Sequence, residues 1–218
     1  MSGYWLRRLP ISLTAVRAVL APALLVISYH GGSHAAFAAC LIAAFVSDVF
    51  DGILARRLGV ATPRLRRLDS AVDTLFYLTA LYCVWRLQPG ALLAHWRALL
   101  ALACLEALRY LFDWVKFRRE ASYHMWSSKL WGIALFLAFV SLLALGVDNA
   151  AIAIAIYVGI LADLEGLAIS FVLDTWQADV PTLVHAFGRR GTANDGFSAR
   201  ASARRSPSRS SPAEGSAP

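Results

Sequence analysis

Four aspartates, Asp48, Asp51, Asp69 and Asp73, fall within the stretch 47–73, SDVFDGILARRLGVATPRLRRLDSAVD. The whole chain has only 14 acidic residues, and long apolar runs flank these four on both sides. Carboxylates placed there are costly to bury without a partner or a metal. Asp48 and Asp51 are three apart and Asp69 and Asp73 four apart, so each pair shares one face of a helix. Gly52 and Ala55 continue the first face with almost no side chain, which leaves room for a ligand near the backbone. Four like charges on two facing helices repel unless cations lie between them. Hard oxygen donors suit Mg²⁺ or Mn²⁺, and two such ions ~3.5–4 Å apart suit phosphoryl chemistry. Two helices with solvated acidic ends turned toward arginines would give the same pattern without a metal.

The pattern resembles the signature of the CDP-alcohol phosphotransferases (CDP-alcohol phosphatidyltransferases), D-x2-D-G-x2-A-R-x8-G-x3-D-x3-D. Asp48, Asp51, Gly52, Ala55, Arg56, Asp69 and Asp73 stand at the required offsets, and Leu65 replaces the family glycine. Near the N-terminus, Thr14 and Arg17 ahead of Pro22 resemble the way family members open. For Arg17 the alternative is a side chain snorkelling to the headgroups.

The resemblance implies an all-α integral membrane enzyme that moves a phosphatidyl group from CDP-diacylglycerol to an alcohol and releases CMP. It implies two Mg²⁺ or Mn²⁺ ions held by Asp48, Asp51 and Asp69, with Asp73 as the base and a further metal contact. It places Gly52, Ala55, Arg56 and Thr62 around the donor nucleotide. Arg56 would equally serve as an electrostatic tether between the halves of the motif, and Thr62 as a loop cap. Leu65 adds bulk where the family glycine lies beside the nucleotide, so the donor pocket is the part of the site it puts in question. A homodimer is also implied.

Six apolar segments must position these residues. They run at about 10–29, 35–54, 68–87, 91–114, 130–147 and 150–173, each near the ~20 residues that cross the hydrocarbon. Gly59 and Pro63 break the arginine-dense link 56–67, Gln88, Pro89 and Gly90 form a turn, and Asp148 and Asn149 form another. Loops after the second and fourth segments are rich in Arg and Lys, and those after the first, third and fifth have few or none. The positive-inside rule then sets both termini and the acidic motif on the cytoplasmic side, most simply in a bacterial-type inner membrane. The expected organisation is an interfacial N-terminal segment over 1–9, a six-helix membrane domain over 10–173, a juxtamembrane segment over 174–187 and a disordered Ser/Pro/Arg tail over 188–218.

Composition agrees. The 218 residues are 58% hydrophobic and 16% charged, with mean hydropathy +0.56, against about 25% charged in soluble domains. The net charge of +7 goes with basic residues beside anionic headgroups, and nucleic acid is not an expected partner. Cys40, Cys83 and Cys104 stand singly in apolar runs, without metal spacing or a disulfide framework. FAAC at 37–40 makes a poor cleavage site, so no removed leader is expected.

The acceptor must be bound by other residues. Arg109, Lys116 and Lys129 could take the phosphate of a phosphorylated alcohol; positive-inside flanking charge, or for Arg109 an ion pair with Glu106, would also account for them. Asp163 and Glu165 are unusual at membrane depth and could pair with Arg109 or Arg17. Glycerol 3-phosphate is the first acceptor expected, inositol phosphate the next, and an amino alcohol such as serine the third. A cation transporter using the same aspartates, or a non-catalytic family member, are the other readings.

Overall fold

A computed structural model describes residues 9–60, 62–118, 125–175 and 180–187, without the side chains of Pro63, Arg64 and Arg66. Residues 1–8 of the expected interfacial segment and the expected tail, 188–218, lie outside the described residues, as do Arg119 and His124. The described residues are helical, with no strand among them. In order these are α1 (Leu9–Tyr29), α2 (His34–Arg57), α3 (Pro63–Leu87), short α4 (Pro89–Ala94), α5 (Trp96–Phe117), α6 (Trp126–Phe139) continued by a π turn (Val140–Ala144), and α7 (Ala150–Val172). Four are long and apolar enough to cross a membrane: α1, α2, α6 with its π turn, and α7. This fits an integral membrane protein. Helices α3 and α5 have the length, 25 and 22 residues, but carry charged residues such as Asp69, Asp73, Glu106 and Arg109 along it.

The chain divides into two compact units, and the division falls inside α5 and α7. One comprises Met1–Ala107 with Ser127–Asp163, and the other Leu108–Trp126 with Leu164–Pro218. In the first unit α1 packs against both α2 and α3. The buried face of α1 is the stripe Pro10, Thr14, Arg17, Ala21, Leu24 and Ser28, a helical period that drifts little over five turns. Phe37, Leu41, Ala44, Ser47 and Asp51 form the matching stripe on α2. On α3, Phe76, Ala80 and Cys83 are buried one turn apart. Cys83 Sγ donates to Leu24 O at 3.5 Å, and Arg86 Nε to Ser28 O at 3.3 Å, so small residues bring α1 and α3 close.

The ends of α2 and α3 that carry the motif are fixed by local chemistry. Gly59 has φ +64°; its N–H donates to Arg56 O at 3.3 Å, and Val60 N–H to Ala55 O at 3.1 Å. This is the Schellman closure, which stops α2 about a turn and a half after Asp51 and Gly52 and needs a residue that tolerates the left-handed region. Thr62 then caps α3 by accepting from Leu65 N–H at 3.2 Å, and Pro63 occupies the first turn, where its missing N–H costs nothing.

The Gln88–Pro89–Gly90 turn is tighter than expected: Pro89 starts α4, because a proline suits a helix start as well as a turn. The Gln88 side chain donates to Leu142 O at 2.8 Å in the π turn. A Cβ on Gly159 would come within 2.6 Å of Trp131 Nε1 and 3.0 Å of Leu102 Cδ1, so α7 can approach α5 and α6 only with glycine there.

In the second unit, part of the stretch expected as juxtamembrane is buried. Val180 and Ala186 are fully buried with Met125, Ile169 and Leu173, and Leu183 N–H donates to Glu165 Oε1 at 3.4 Å.

Candidate active site

The three stripes of the first unit end in polar residues at the same place. Helix α1 contributes Thr14 and Arg17, α2 contributes Asp48 and Asp51, and α3 contributes Asp69 and Asp73. The Arg17 guanidinium lies at the centre, 2% exposed. Its Nη1 donates to Asp48 Oδ1 at 2.6 Å and also to Asp73 Oδ1, while its Nη2 donates to Asp51 Oδ2 and Asp69 Oδ1. Arg17 therefore does not snorkel, and its ion pairs run to the four motif aspartates. A planar fork with donors on two terminal nitrogens can serve four carboxylates at once, which an ammonium cannot do in the same geometry.

Thr14 completes the cluster. Its Oγ1 lies 3.2 Å from Pro10 O, 3.3 Å from Asp69 Oδ1 and 3.5 Å from Asp51 Oδ2. One hydroxyl proton is shared among three acceptors, so Thr14 ties the start of α1 to both acidic helices.

The carboxylates differ in access. Asp51 is 4% exposed, whereas Asp48, Asp69 and Asp73 are 42%, 30% and 28% exposed. The cage is closed at Asp51 and open on the other side. Next to Arg17, Asp48 and Asp73 is a pocket walled by Phe45, Phe76, Tyr77, Phe136 and Phe139, in which Phe45 and Phe136 stack at 4.3 Å between centroids.

The donor set suits a hard divalent cation. Asp48, Asp51 and Asp69 each offer an oxygen, and these oxygens lie within 4.8 Å of one another. All donors are carboxylate oxygens, the chemistry of Mg²⁺ and Mn²⁺, and a fully buried cation already sits among them. The residues present therefore fit such ions.

The family model of the CDP-alcohol phosphatidyltransferases matches residues 7–161, a span that takes in Arg17 and all four aspartates. The chain belongs to this family. No curated protein and no solved structure matches it. The chain is accordingly a phosphatidyltransferase of this metal-dependent family, which transfers a phosphatidyl group from CDP-diacylglycerol to an alcohol, and the ion-transporter reading is set aside.

The other expected residues of the transferase divide into three groups. Gly52 and Ala55 lie half-buried on α2 beside the cage. A Cβ on Gly52 would sit 3.5 Å from Arg56 Nη1, so the exposed Arg56 side chain runs back along the Gly52 face. Thr62 is engaged in capping α3. In the second unit, Lys116 Nζ donates to Ser170 O at 2.8 Å and Phe171 O at 3.2 Å, neutralising the carbonyl end of α7. That fixes Lys116 in the structure. Arg109 crosses α7 at Gly166, where a Cβ would meet its Cδ at 3.0 Å. Lys129 is exposed at the start of α6, in the first unit.

The sequence reading left Arg17 between two outcomes. The signal that would have decided it is the stripe itself: Arg17 falls in register with Ala21, Leu24 and Ser28, the narrow face that packs inward.

Proposed function

We propose that the cage binds two divalent cations, Mg²⁺ or Mn²⁺, and that the enzyme makes a phosphatidylated alcohol phosphate from CDP-diacylglycerol and glycerol 3-phosphate. The observation that carries the reading is the convergence of one oxygen from each of four aspartates, on two helices, upon a single buried cation position. Bound there, the metals would polarise the donor diphosphate and offset charge building on its oxygens. Asp48, Asp51 and Asp69 would hold the metals. Asp73, on the open side, takes the proton of the acceptor hydroxyl. The acceptor oxygen forms a new bond to the lipid-side phosphorus, the bond from that phosphorus to the CMP oxygen breaks, and CMP leaves with the electron pair.

Gly52 and Ala55 leave the face of α2 low enough for the nucleotide to approach, and Arg56 lies over that face to meet a phosphate. Arg109, Lys116 and Lys129 are each proposed as candidates for the acceptor phosphate. We further propose six membrane spans, with α3 and α5 as the two charged ones, both termini cytoplasmic and the molecule a homodimer.

A second reading of the acceptor rests on the aromatic pocket beside Asp48 and Asp73. Aromatic faces next to carboxylates suit an ammonium group, so an amino alcohol is the alternative, admitted once this pocket of about 10 Å³ opens. The test is CMP release by purified protein supplied with CDP-diacylglycerol, Mg²⁺ and a panel of alcohols. Release with glycerol 3-phosphate supports the first reading, and release with serine alone supports the second. No CMP with any alcohol would remove both.

A further inference from the structure

Arg17 is joined to all four motif carboxylates by its two terminal nitrogens. Its Nε is buried and has no hydrogen-bond partner, so all its hydrogen bonds to the cage come from those two nitrogens. These two facts describe a cation whose hydrogen bonds are all made at its tip. One guanidinium leaves three of the four negative charges of the cage unbalanced. Two divalent ions would balance all four and leave no electrostatic place for a guanidinium among the same oxygens.

Resting on the metal reading above, we infer that Arg17 is the positioning residue of the cage and the competitor of its metals. It draws Asp48 and Asp51 of α2 and Asp69 and Asp73 of α3 together as a resident counter-charge. Divalent cations load by taking over those oxygens, and the guanidinium moves off them. Without Arg17, four carboxylates would face one another with no counter-charge, and repulsion would splay α2 from α3. With it, the cage is assembled before the metals arrive, and metal binding is weakened by the cost of removing the arginine from its partners.

The two consequences have opposite signs, which separates this role from a plain structural one. The experiment uses the full chain in detergent, with Mn²⁺ as the probe. Thermal unfolding is followed in chelator and in Mn²⁺, and bound Mn²⁺ is measured directly by the loss of the free-ion paramagnetic signal. Arg17→Gln is expected to lower Tm in chelator, to recover most of that loss in Mn²⁺, and to bind Mn²⁺ about tenfold or more tightly than the parent protein, since a positive charge leaves the immediate surroundings of the site. Arg17→Lys keeps one charge but cannot span four carboxylates, so it should be intermediate in both measurements. Arg86→Gln removes an arginine that bonds Ser28 O away from the cage and should leave Mn²⁺ affinity unchanged.

Weaker Mn²⁺ binding by Arg17→Gln, or an unchanged Tm in chelator, overturns the inference. So does equal tightening by Arg86→Gln. Should Arg17→Gln fail to fold even in Mn²⁺, the lysine variant decides alone: Mn²⁺ affinity no tighter than that of the parent overturns competition. A parent protein that binds no Mn²⁺ removes the metal reading itself, a different result from a parent that binds Mn²⁺ with Arg17 indifferent to it.

Discussion

Helices α1, α2 and α3 each carry one inward stripe, and each stripe has two halves of opposite chemistry. In one half, Ala21 and Leu24 of α1 meet Phe37 and Leu41 of α2 and Ala80 and Cys83 of α3, all buried and apolar. In the other half, the same stripes carry Thr14 and Arg17, Asp48 and Asp51, Asp69 and Asp73. The helical register is continuous from one half to the other, so backbone geometry does not distinguish them. The interaction that closes the interface does. The apolar half is held by close packing and tolerates any cation concentration. The polar half is held by the ion pairs of Arg17 with four carboxylates, and on the proposed reading it responds to divalent cations. A rigid apolar half fixes the distance between helices, and the polar half uses that distance to set four carboxylates around one point.

The comparison can be broken most severely at Asp73. Asp73→Asn keeps the size and hydrogen-bonding capacity of the side chain but removes its charge and its proton acceptor. The rate of CMP release should fall by ~10²–10⁴-fold, the usual contribution of a positioned base, with Tm little changed. A rate within a few-fold of the parent would take Asp73 out of the mechanism.

The opposite half should fail in the opposite way. Leu24 is fully buried against α2 and α3, and Leu24→Ala leaves a cavity of the kind that costs about 2–5 kcal/mol. Thermal unfolding should show that loss equally in chelator and in Mg²⁺, and the Mg²⁺ dependence of CMP release should keep its midpoint. A loss present only without metal would mean that the two halves are not separable.

The smallest effect is expected where the two helices of the motif are joined. Thr62→Ala removes the cap of α3 and should cost about 1 kcal/mol, read as a modest fall in Tm. The Michaelis constant for CDP-diacylglycerol should stay within about twofold, because the Thr62 hydroxyl is occupied by Leu65 N–H. A large rise in that constant with unchanged Tm would return Thr62 to the donor site.

Much of this was legible in the sequence, for local reasons. The four aspartates declare their faces by spacing, and Gly59, Thr62 and Pro63 mark the end of α2 and the start of α3 by the φ angle, the cap and the missing donor each supplies. The long helices follow from uninterrupted apolar runs. What was not legible depended on residues distant in the chain. An arginine in an apolar helix can reach for water or for a carboxylate, and Arg17 takes the second course because Asp48 and Asp73 arrive from two other helices. Lys116 reads as a candidate phosphate ligand or a flanking charge, and its hydrogen bonds to the last-turn carbonyls of α7 depend on partners 54 and 55 residues on. The stretch 174–187 reads as a juxtamembrane segment, and that reading does not say that Val180 and Ala186 are buried with Met125 and Ile169. The π turn at Val140–Ala144 had no sequence mark, since its residues are ordinary helix and strand formers.

The central claim is that the polar half of the junction is a metal-dependent transfer site. Asp51 tests it most directly, being the buried floor of the cage and bonded to Arg17. The measurement is CMP release from CDP-diacylglycerol and glycerol 3-phosphate as Mg²⁺ is raised from full chelation, for the parent and for Asp51→Asn. The parent should be silent in chelator and saturate with Mg²⁺, and the variant should need far more Mg²⁺ or stay silent while remaining folded. CMP released by the parent in full chelator, or an unchanged Mg²⁺ curve for Asp51→Asn, would contradict the account.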